Sequence, residues 1–184
     1  MQVILASKSP RRLKLLQATG LAVEVRPAHA NEALLPGEDA RTSVLRLAKV
    51  KAATIANAQH PVIAADTLVS LNGNPMGQPA DMSEARKMLR CLAGSSHQVH
   101  TGVCVRFGNH QLIDCACTHV HFFDLQGEEI ETYLDHNEVL DKAGAYEIQG
   151  GAASFVRSID GPLDNVIGLP VRLTLSMLKQ VTAP

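Results

Sequence analysis

The stretch QVILASKSPRRLKLL, residues 2–16, indicates how the fold begins. Its apolar start, QVILA, has the composition of a short buried strand. Ser9 then stands where a helix N-cap is expected, Pro10 suits the first helical position, and Gly20 is placed to end the helix. The opening therefore predicts a strand, a polar turn and a helix.

Two further segments place charged residues among apolar ones. A second helix is predicted over about Asp39 to Ala58, with Lys51 on its apolar stripe. A lysine on an inward face must either reach solvent or serve a function. The run VIAADTLVS, residues 62–70, predicts a buried central strand in which the charge of Asp66 is costly unless it is compensated.

The rest of the chain alternates helical and strand patterns. In order they are a helix after Asp81 closed by Gly94, an antiparallel strand pair over 99–105 and 116–122, a helix over 127–134, a glycine-punctuated loop over 141–151, a strand over Ala153 to Ile159, and a last helix opened by Leu169-Pro170. Such interleaving predicts an α/β fold with a mixed sheet, and residues 1–184 are predicted to form a single domain.

The composition excludes several classes of protein. The chain has 184 residues and a formal charge of −1, from 17 basic and 18 acidic residues, which argues against stable nucleic-acid binding through phosphate neutralisation. No apolar run approaches the roughly 20 residues that span a bilayer, and the first residues do not have the order of a secretory signal. We therefore expect a cytoplasmic protein without membrane attachment.

The four cysteines are expected to be reduced and mostly buried, because the chain needs no disulfide framework. Zinc-ligand types recur at alternating positions of one predicted strand, namely Cys115, Cys117, His119 and His121. Residues i and i+2 of a strand lie about 6.6 Å apart, so four such residues cannot surround one tetrahedral ion. We expect no zinc site there.

The turn Ser7-Lys8-Ser9 is the first candidate for chemistry. A helix N-terminus after a strand offers free N–H groups to an anion, and Arg11 and Arg12 add guanidinium groups suited to phosphate. The alternative is a solvated first turn with a serine cap.

Asp66 is the second candidate, and its role stays open at this point. It could position a divalent cation, deprotonate a water molecule, or cap a turn at the end of its strand. Glu32 could supply an oxygen to a metal, as could any exposed acid. Lys142 is either a solvated loop lysine or part of the same site.

Six ordered blocks resemble the Maf-type nucleoside triphosphate pyrophosphatases. They are ILASKSPRRLKLL, RLAKVKA, ADT, MLRCLAGSSHQVHTGV, DKAGAYEIQG and NVIGLP. The resemblance implies a two-lobed α/β fold with an extended mixed sheet and a deep cleft, related to inosine-triphosphate pyrophosphatases, and a homodimer. It implies hydrolysis of a nucleoside triphosphate to the monophosphate and pyrophosphate with a divalent cation, Mg²⁺ or Mn²⁺. It also implies a role in removing non-standard nucleotides or in septum formation.

The resemblance also assigns residues. Asp66 matches the family's proton acceptor, and with Glu32 it is expected to hold the metal. The phosphate-binding positions are Ser7, Arg11, Arg12 and Lys51, to which we add Lys142 from the glycine-punctuated loop. The positions associated with base selection are Arg11, Thr67 and Gln149. Gln78 departs from the pattern, because many relatives have a lysine there. The absence of that positive charge is expected to weaken triphosphate binding or to alter the preferred metal.

The same blocks resemble the branch that acts on dTTP and UTP. A glutamine can donate to and accept from the O4/N3 edge of a pyrimidine, so Gln149 is suited to uracil or thymine. The alternatives are the same chemistry on 7-methyl-GTP or another nucleotide, and a nucleotide-binding regulator of division without catalysis.

Overall fold

Seven strands form one mixed sheet in the computed structural model of the chain, which describes residues 1–183. The strands are β1 (Gln2–Leu5), β2 (Ala22–Val25), β3 (Val62–Leu71), β4 (Asn74–Met76), β5 (Ser96–Phe107), β6 (His110–Phe122) and β7 (Val156–Asp160). The order along the sheet is β2-β1-β3-β5-β6-β7, and β4 pairs with β3. β1 runs parallel to β2 and β3, and the later pairs are antiparallel. Pro184, the last residue of the predicted domain, lies outside the described residues.

Helices cover both faces of this sheet. They are α1 (Pro10–Gln17), α2 (Ala40–Ala53), α3 (Met82–Leu92), α4 (Gly127–His136), α5 (Leu163–Ile167) and α6 (Val171–Val181), with 3-10 helices at Ala143–Ala145 and Gly151–Phe155. In β1, Val3 and Leu5 face α1 and α6, whereas Ile4 faces α2. This alternation is expected for a strand covered on both faces.

α2 lies unusually close to the sheet at one point. A Cβ atom built on Gly102 of β5 would stand 2.4 Å from the carbonyl oxygen of Val44 in α2. Only a residue without a side chain permits this approach, which carries Lys51, two turns further along α2, over β3. The close packing therefore helps to set the position of a buried cation.

The long strand β3 passes through two hydrophobic cores and so joins two lobes. Its first half packs with β1, α1, α2 and α6, where Val62, Ile63 and Ala64 are fully buried. Its second half, at Val69, packs with α3, α4 and Tyr146. The mixed α/β sheet and the two lobes that the sequence predicted are confirmed.

Several local predictions were wrong. α2 ends at Ala53, five residues earlier than expected, and Asn57 beyond it adopts a left-handed conformation (φ 49°) that cannot continue a helix. The strand expected from Ala153 begins only at Val156, after a 3-10 helix. The elements β2, β4 and α5 were not predicted, because each has five residues or fewer and a weak pattern.

Candidate active site

A cleft of about 790 Å³ opens between the two lobes. Its walls come from the turn after β1, from α2 and β3, and from the loop that follows α4. The cleft is lined by all ten residues that the sequence singled out, namely Ser7, Arg11, Arg12, Glu32, Lys51, Asp66, Thr67, Gln78, Lys142 and Gln149. The fold thus brings together residues spread over most of the chain, and the volume is in the range of small-molecule sites.

The turn after β1 is held in shape by its own serines. The Oγ of Ser9, the N-cap of α1, accepts from the N–H of Arg12 at 3.4 Å, and Ser7 Oγ accepts from the N–H of Ser9 at 3.2 Å. The predicted cap is confirmed. The turn and the N-terminus of α1 line the cleft, so the positive end of the helix dipole faces the space where a ligand would bind.

Arg12 fixes three segments to one another. Its Nε donates to the carbonyl oxygen of Gly168 at 2.8 Å, Nη1 donates to Ser7 Oγ at 3.2 Å, and Nη2 donates to Thr67 Oγ1 at 3.0 Å. Burial lowers the pKa of the Arg12 guanidinium, and the negative charge of Asp66 opposes that shift. Arg12 therefore orders the turn, β3 and the loop after α5 as well as supplying positive charge.

Lys51 and Asp66 form a buried ion pair on the floor of the cleft. Lys51 Nζ donates to Asp66 Oδ1 at 2.6 Å, and both residues are 6% exposed. The same Nζ donates to Oε2 of Glu32, also at 2.6 Å, although the Glu32 side chain is 52% exposed. The prediction that Lys51 faces inward is confirmed, and its role there is to compensate the aspartate.

The environment of Asp66 makes its carboxylate more basic than an exposed one. Burial raises the pKa of Asp66, while the positive charges of Lys51 and Arg12 act in the opposite direction. A buried acid that is held ionised by cations, and whose pKa is still above its ordinary value, is suited to accept a proton.

A second group of charges links the two walls of the cleft. Arg11 Nη1 lies 3.2 Å from Glu147 Oε2, and Lys142 Nζ lies 3.6 Å from the same oxygen. Lys142 also pairs with Asp141 and is 8% exposed, so it is not the solvated loop lysine that was the alternative. Because Arg11 belongs to α1 and Glu147 to the other lobe, their ion pair spans the cleft.

The two glutamines belong to the wall that carries Lys142 and Glu147. Gln78 Nε2 donates to the carbonyl oxygen of Asp141 at 3.1 Å, so the residue that replaces a lysine is used to support the loop carrying Lys142. Gln149 is exposed and lines the cleft two residues beyond Glu147.

Sequence reasoning missed three residues around this site. Glu147 lies inside a quoted motif, but nothing in its spacing indicated that it would meet Arg11. Thr101 and Asn165 are fully buried and connect to Thr67 through hydrogen bonds. Their signal was weak, because a polar residue in an apolar run indicates a buried partner without identifying it.

The cysteine prediction needs correction. Cys104 is buried, but Cys91 and Cys117 are exposed and Cys115 is half-buried, so the four thiols are not mostly buried. All four are free. Cys115 and Cys117 lie on the half-exposed strand β6, where alternate residues face solvent rather than the core.

An α/β sheet with a cation-lined cleft beneath a helix N-terminus defines a protein that binds a small anionic ligand. The chain belongs to the Maf family, whose model, described as Maf-like protein, matches residues 2–181. It is 46% identical over 187 residues to the dTTP/UTP pyrophosphatase of Anaeromyxobacter dehalogenans (strain 2CP-C), covering 100% of this chain and 95% of that protein. It is 42% identical over 186 residues to the dTTP/UTP pyrophosphatase of Chromobacterium violaceum, covering 97% and 94%.

A solved structure shares the fold. The Staphylococcus aureus Ham1 protein aligns with a TM-score of 0.50 at 15% identity, covering 67% of this chain and 73% of that one. This likeness supports the fold class expected from the sequence. Within residues 1–183, no helix has the length and apolar character that a membrane crossing requires.

Proposed function

We propose that the protein hydrolyses dTTP and UTP between the α- and β-phosphates, releasing the nucleoside monophosphate and pyrophosphate. The Anaeromyxobacter and Chromobacterium relatives are named for action on these nucleotides and align along nearly the whole chain. The observation that carries the proposal is the buried Asp66, paired with Lys51, in a cleft that is also lined by Arg11 and Lys142.

In this proposal the cations hold the triphosphate. Arg11 and Lys142 exchange Glu147 for phosphate oxygens, and the turn at Ser7 presents hydroxyl and N–H groups at the end of α1. Arg12 makes three protein hydrogen bonds, so it acts chiefly by fixing the turn and by its charge. These contacts stabilise the negative charge that develops on the phosphoryl oxygens in the transition state.

Asp66 accepts a proton from the attacking water. Lys51 donates to Oδ1 of Asp66, and Oδ2 is the atom that we propose takes the proton. Water then attacks the α-phosphorus, the bond to the bridging oxygen breaks, and pyrophosphate leaves with the electron pair. Because Lys51 stays paired with the carboxylate, it holds Asp66 ionised until the proton arrives.

The acidic residues of the floor fit a divalent cation. The carboxylates of Glu32 and Asp66 lie side by side, since each has one oxygen 2.6 Å from Lys51 Nζ, and the second oxygen of each is the one that would face a cation beside the ammonium group. Mg²⁺ is usually held by one or two carboxylates together with substrate phosphates, and these two residues would hold it here. A bound Mg²⁺ or Mn²⁺ would neutralise phosphoryl charge and make pyrophosphate a better leaving group.

Base selection is assigned to the wall with Gln149 and to Thr67. Gln149 offers both a donor and an acceptor to the O4/N3 edge of uracil or thymine, and its amide N–H can donate to O4 whichever group accepts from N3–H. Gln78 supports the neighbouring loop and offers no charge, so we expect triphosphate binding to rest on Arg11 and Lys142.

The test is a nucleotide panel of dTTP, UTP, CTP and 7-methyl-GTP with Mg²⁺ or Mn²⁺, in which pyrophosphate and orthophosphate are measured separately. We expect pyrophosphate from dTTP and UTP, and a fall in kcat of at least about 100-fold in Asp66→Asn, the usual effect of losing a general base. Asp114→Asn, on the half-exposed strand β6, is the matched control, and its kcat should equal that of the unaltered protein. Unchanged release in Asp66→Asn would exclude its role, and equal or better use of 7-methyl-GTP would overturn the nucleotide assignment. Binding without turnover would favour a division regulator.

Four further properties stay predictions. We expect a single domain, a homodimer, a cytoplasmic location, and a part in nucleotide housecleaning or septum formation. The dimer is tested by light scattering during size-exclusion chromatography, where a mass of one chain would contradict it.

A further inference from the structure

A chain of buried hydroxyl groups leads from the cleft into the protein. Thr67 Oγ1 lies 3.0 Å from Thr101 Oγ1, and Thr101 Oγ1 lies 2.9 Å from the backbone carbonyl oxygen of Asn165. Thr101 and Asn165 are fully buried, whereas Thr67 lines the cleft. Because this chain ends at a carbonyl oxygen, which can only accept, the donor and the acceptor of each hydrogen bond can be assigned.

The direction of each hydrogen bond follows from counting hydrogens. A carbonyl oxygen can only accept, so the single hydroxyl hydrogen of Thr101 points to Asn165. Thr101 must therefore accept from Thr67, which commits the only hydroxyl hydrogen of Thr67 to the protein interior. Arg12 can only donate, and it occupies one lone pair of Thr67 at 3.0 Å. Toward the cleft, Thr67 is left with an acceptor and no donor.

The carbonyl at the end of this chain is itself held in place. Asn165 Nδ2 donates to the carbonyl oxygen of Val99 at 2.9 Å and to Thr118 Oγ1 at 3.0 Å. Thr118 Oγ1 in turn donates to the carbonyl oxygen of Pro162 at 2.9 Å. These bonds anchor the Asn165 side chain beside β5 and β6, and the N–H of Gly168 donates to the Asn165 carbonyl oxygen at 3.1 Å, so the acceptor that Thr101 faces is held in place.

Thr67 is half-buried, lines the cleft and lies beside a glycine. Gly168 adopts φ 124°, and a Cβ atom at this position would stand 3.6 Å from Thr67 Oγ1. A Cβ atom at this distance would be in ordinary van der Waals contact with the hydroxyl, so glycine leaves that side of Thr67 without a side chain, and its φ is one that other residues rarely adopt.

We infer that Thr101 and Asn165 are positioning residues that fix Thr67 as a hydrogen-bond acceptor for the N3–H group of a uracil or thymine base. The inference rests on the proposed function. Phosphate oxygens are acceptors, so an accepting Thr67 would repel them, and its partner must be a donor. Uracil and thymine carry a hydrogen on N3, whereas cytosine has a lone pair there. The fixed acceptor therefore selects UTP and dTTP against CTP.

The test compares Thr101→Val with Thr101→Ser through the ratio of kcat/KM for UTP to kcat/KM for CTP. Valine cannot accept from Thr67, so the Thr67 hydroxyl becomes free to donate to N3 of cytosine. We expect this ratio to fall by about tenfold in Thr101→Val, which corresponds to one hydrogen bond. Thr101→Ser keeps the hydroxyl and should stay within about twofold of the parent ratio. A ratio that is unchanged in folded Thr101→Val would overturn the inference.

Modified nucleotides provide a test on the unaltered protein, which holds even where Thr101→Val does not fold. N3-methyl-UTP lacks the donor, and we expect its kcat/KM to be at least about tenfold below that of UTP. The matched control is 5-methyl-UTP, which carries its methyl group elsewhere and should be used like UTP. Equal kcat/KM values for the two methylated nucleotides would overturn this inference and leave the proposed function standing. No hydrolysis of UTP itself would instead contradict the proposed function.

Discussion

Replacing Lys51 with methionine removes the cation that compensates a buried carboxylate. Methionine has a similar length, so the main change is the loss of the ammonium group 2.6 Å from Asp66 Oδ1. Asp66 is 6% exposed and would stay buried without its partner. Breaking a buried ion pair from one side costs about 3–5 kcal/mol. The contact with Glu32 adds at most about 1 kcal/mol, because that side chain is half-exposed.

The unfolding free energy that Lys51→Met loses should depend on pH in a defined direction. Burial already raises the pKa of folded Asp66 above its ordinary value, and losing Lys51 removes an interaction that lowers it. A carboxyl group whose folded pKa lies above its unfolded value binds its proton more tightly when folded. The stability cost of the uncompensated carboxylate is therefore small below about pH 4, the pKa of Asp66 in the unfolded chain. It grows as the pH rises from there through the pKa of folded Asp66.

Urea unfolding at about pH 5 and about pH 8 measures this effect. We expect Lys51→Met to lose about 3–5 kcal/mol of unfolding free energy at the higher pH and less at the lower one. The double variant Lys51→Met/Asp66→Asn removes the uncompensated charge and should regain most of the loss. A loss below about 1 kcal/mol that does not change with pH would refute the reasoning, as would a double variant no more stable than the single one.

Three other results are expected. In Glu147→Gln the KM for UTP and the inhibition constant of pyrophosphate should each fall about two- to fivefold in steady-state kinetics, because two cations lose their partly exposed partner. The matched control Glu131→Gln breaks an arginine pair outside the cleft and should leave both constants unchanged, whereas an increased KM in Glu147→Gln would contradict this account. Arg12→Lys should lose about 1–3 kcal/mol of unfolding free energy in urea titrations, since one ammonium group cannot make the three bonds of the guanidinium, and an unchanged midpoint would count against its role. The rate should fall on the acid side as Asp66 is protonated, with a kcat midpoint above the ordinary aspartate pKa, and a midpoint below it would show that burial does not control this group.

Much of the site could be predicted from short motifs because each combined local structure with a chemical requirement. Ser9 and Pro10 indicated where α1 begins, and this placed the neighbouring turn at a helix N-terminus. An aspartate within an apolar run had to be compensated, a lysine on an inward helix face had to reach solvent or serve a function, and the structure pairs the two. In both cases the cost of burial or of unpaired backbone groups left few alternatives.

The contacts between distant segments could not be predicted in the same way. Glu147 meets Arg11 only because the two lobes face each other across the cleft, and no local pattern encodes that distance. The bonds from Thr67 to Thr101 depend on the antiparallel register of β3 and β5, which pairs these two residues directly. Single sequence patterns establish the period of a strand, whereas the register depends on the whole sheet.

The bond that is cleaved tests the central claim most directly. UTP is hydrolysed by the unaltered protein in water enriched with oxygen-18, and the products are analysed by mass spectrometry. Attack on the α-phosphorus with Asp66 as the base predicts one labelled oxygen in UMP and unlabelled pyrophosphate. Label in pyrophosphate, or release of orthophosphate with UDP, would contradict it.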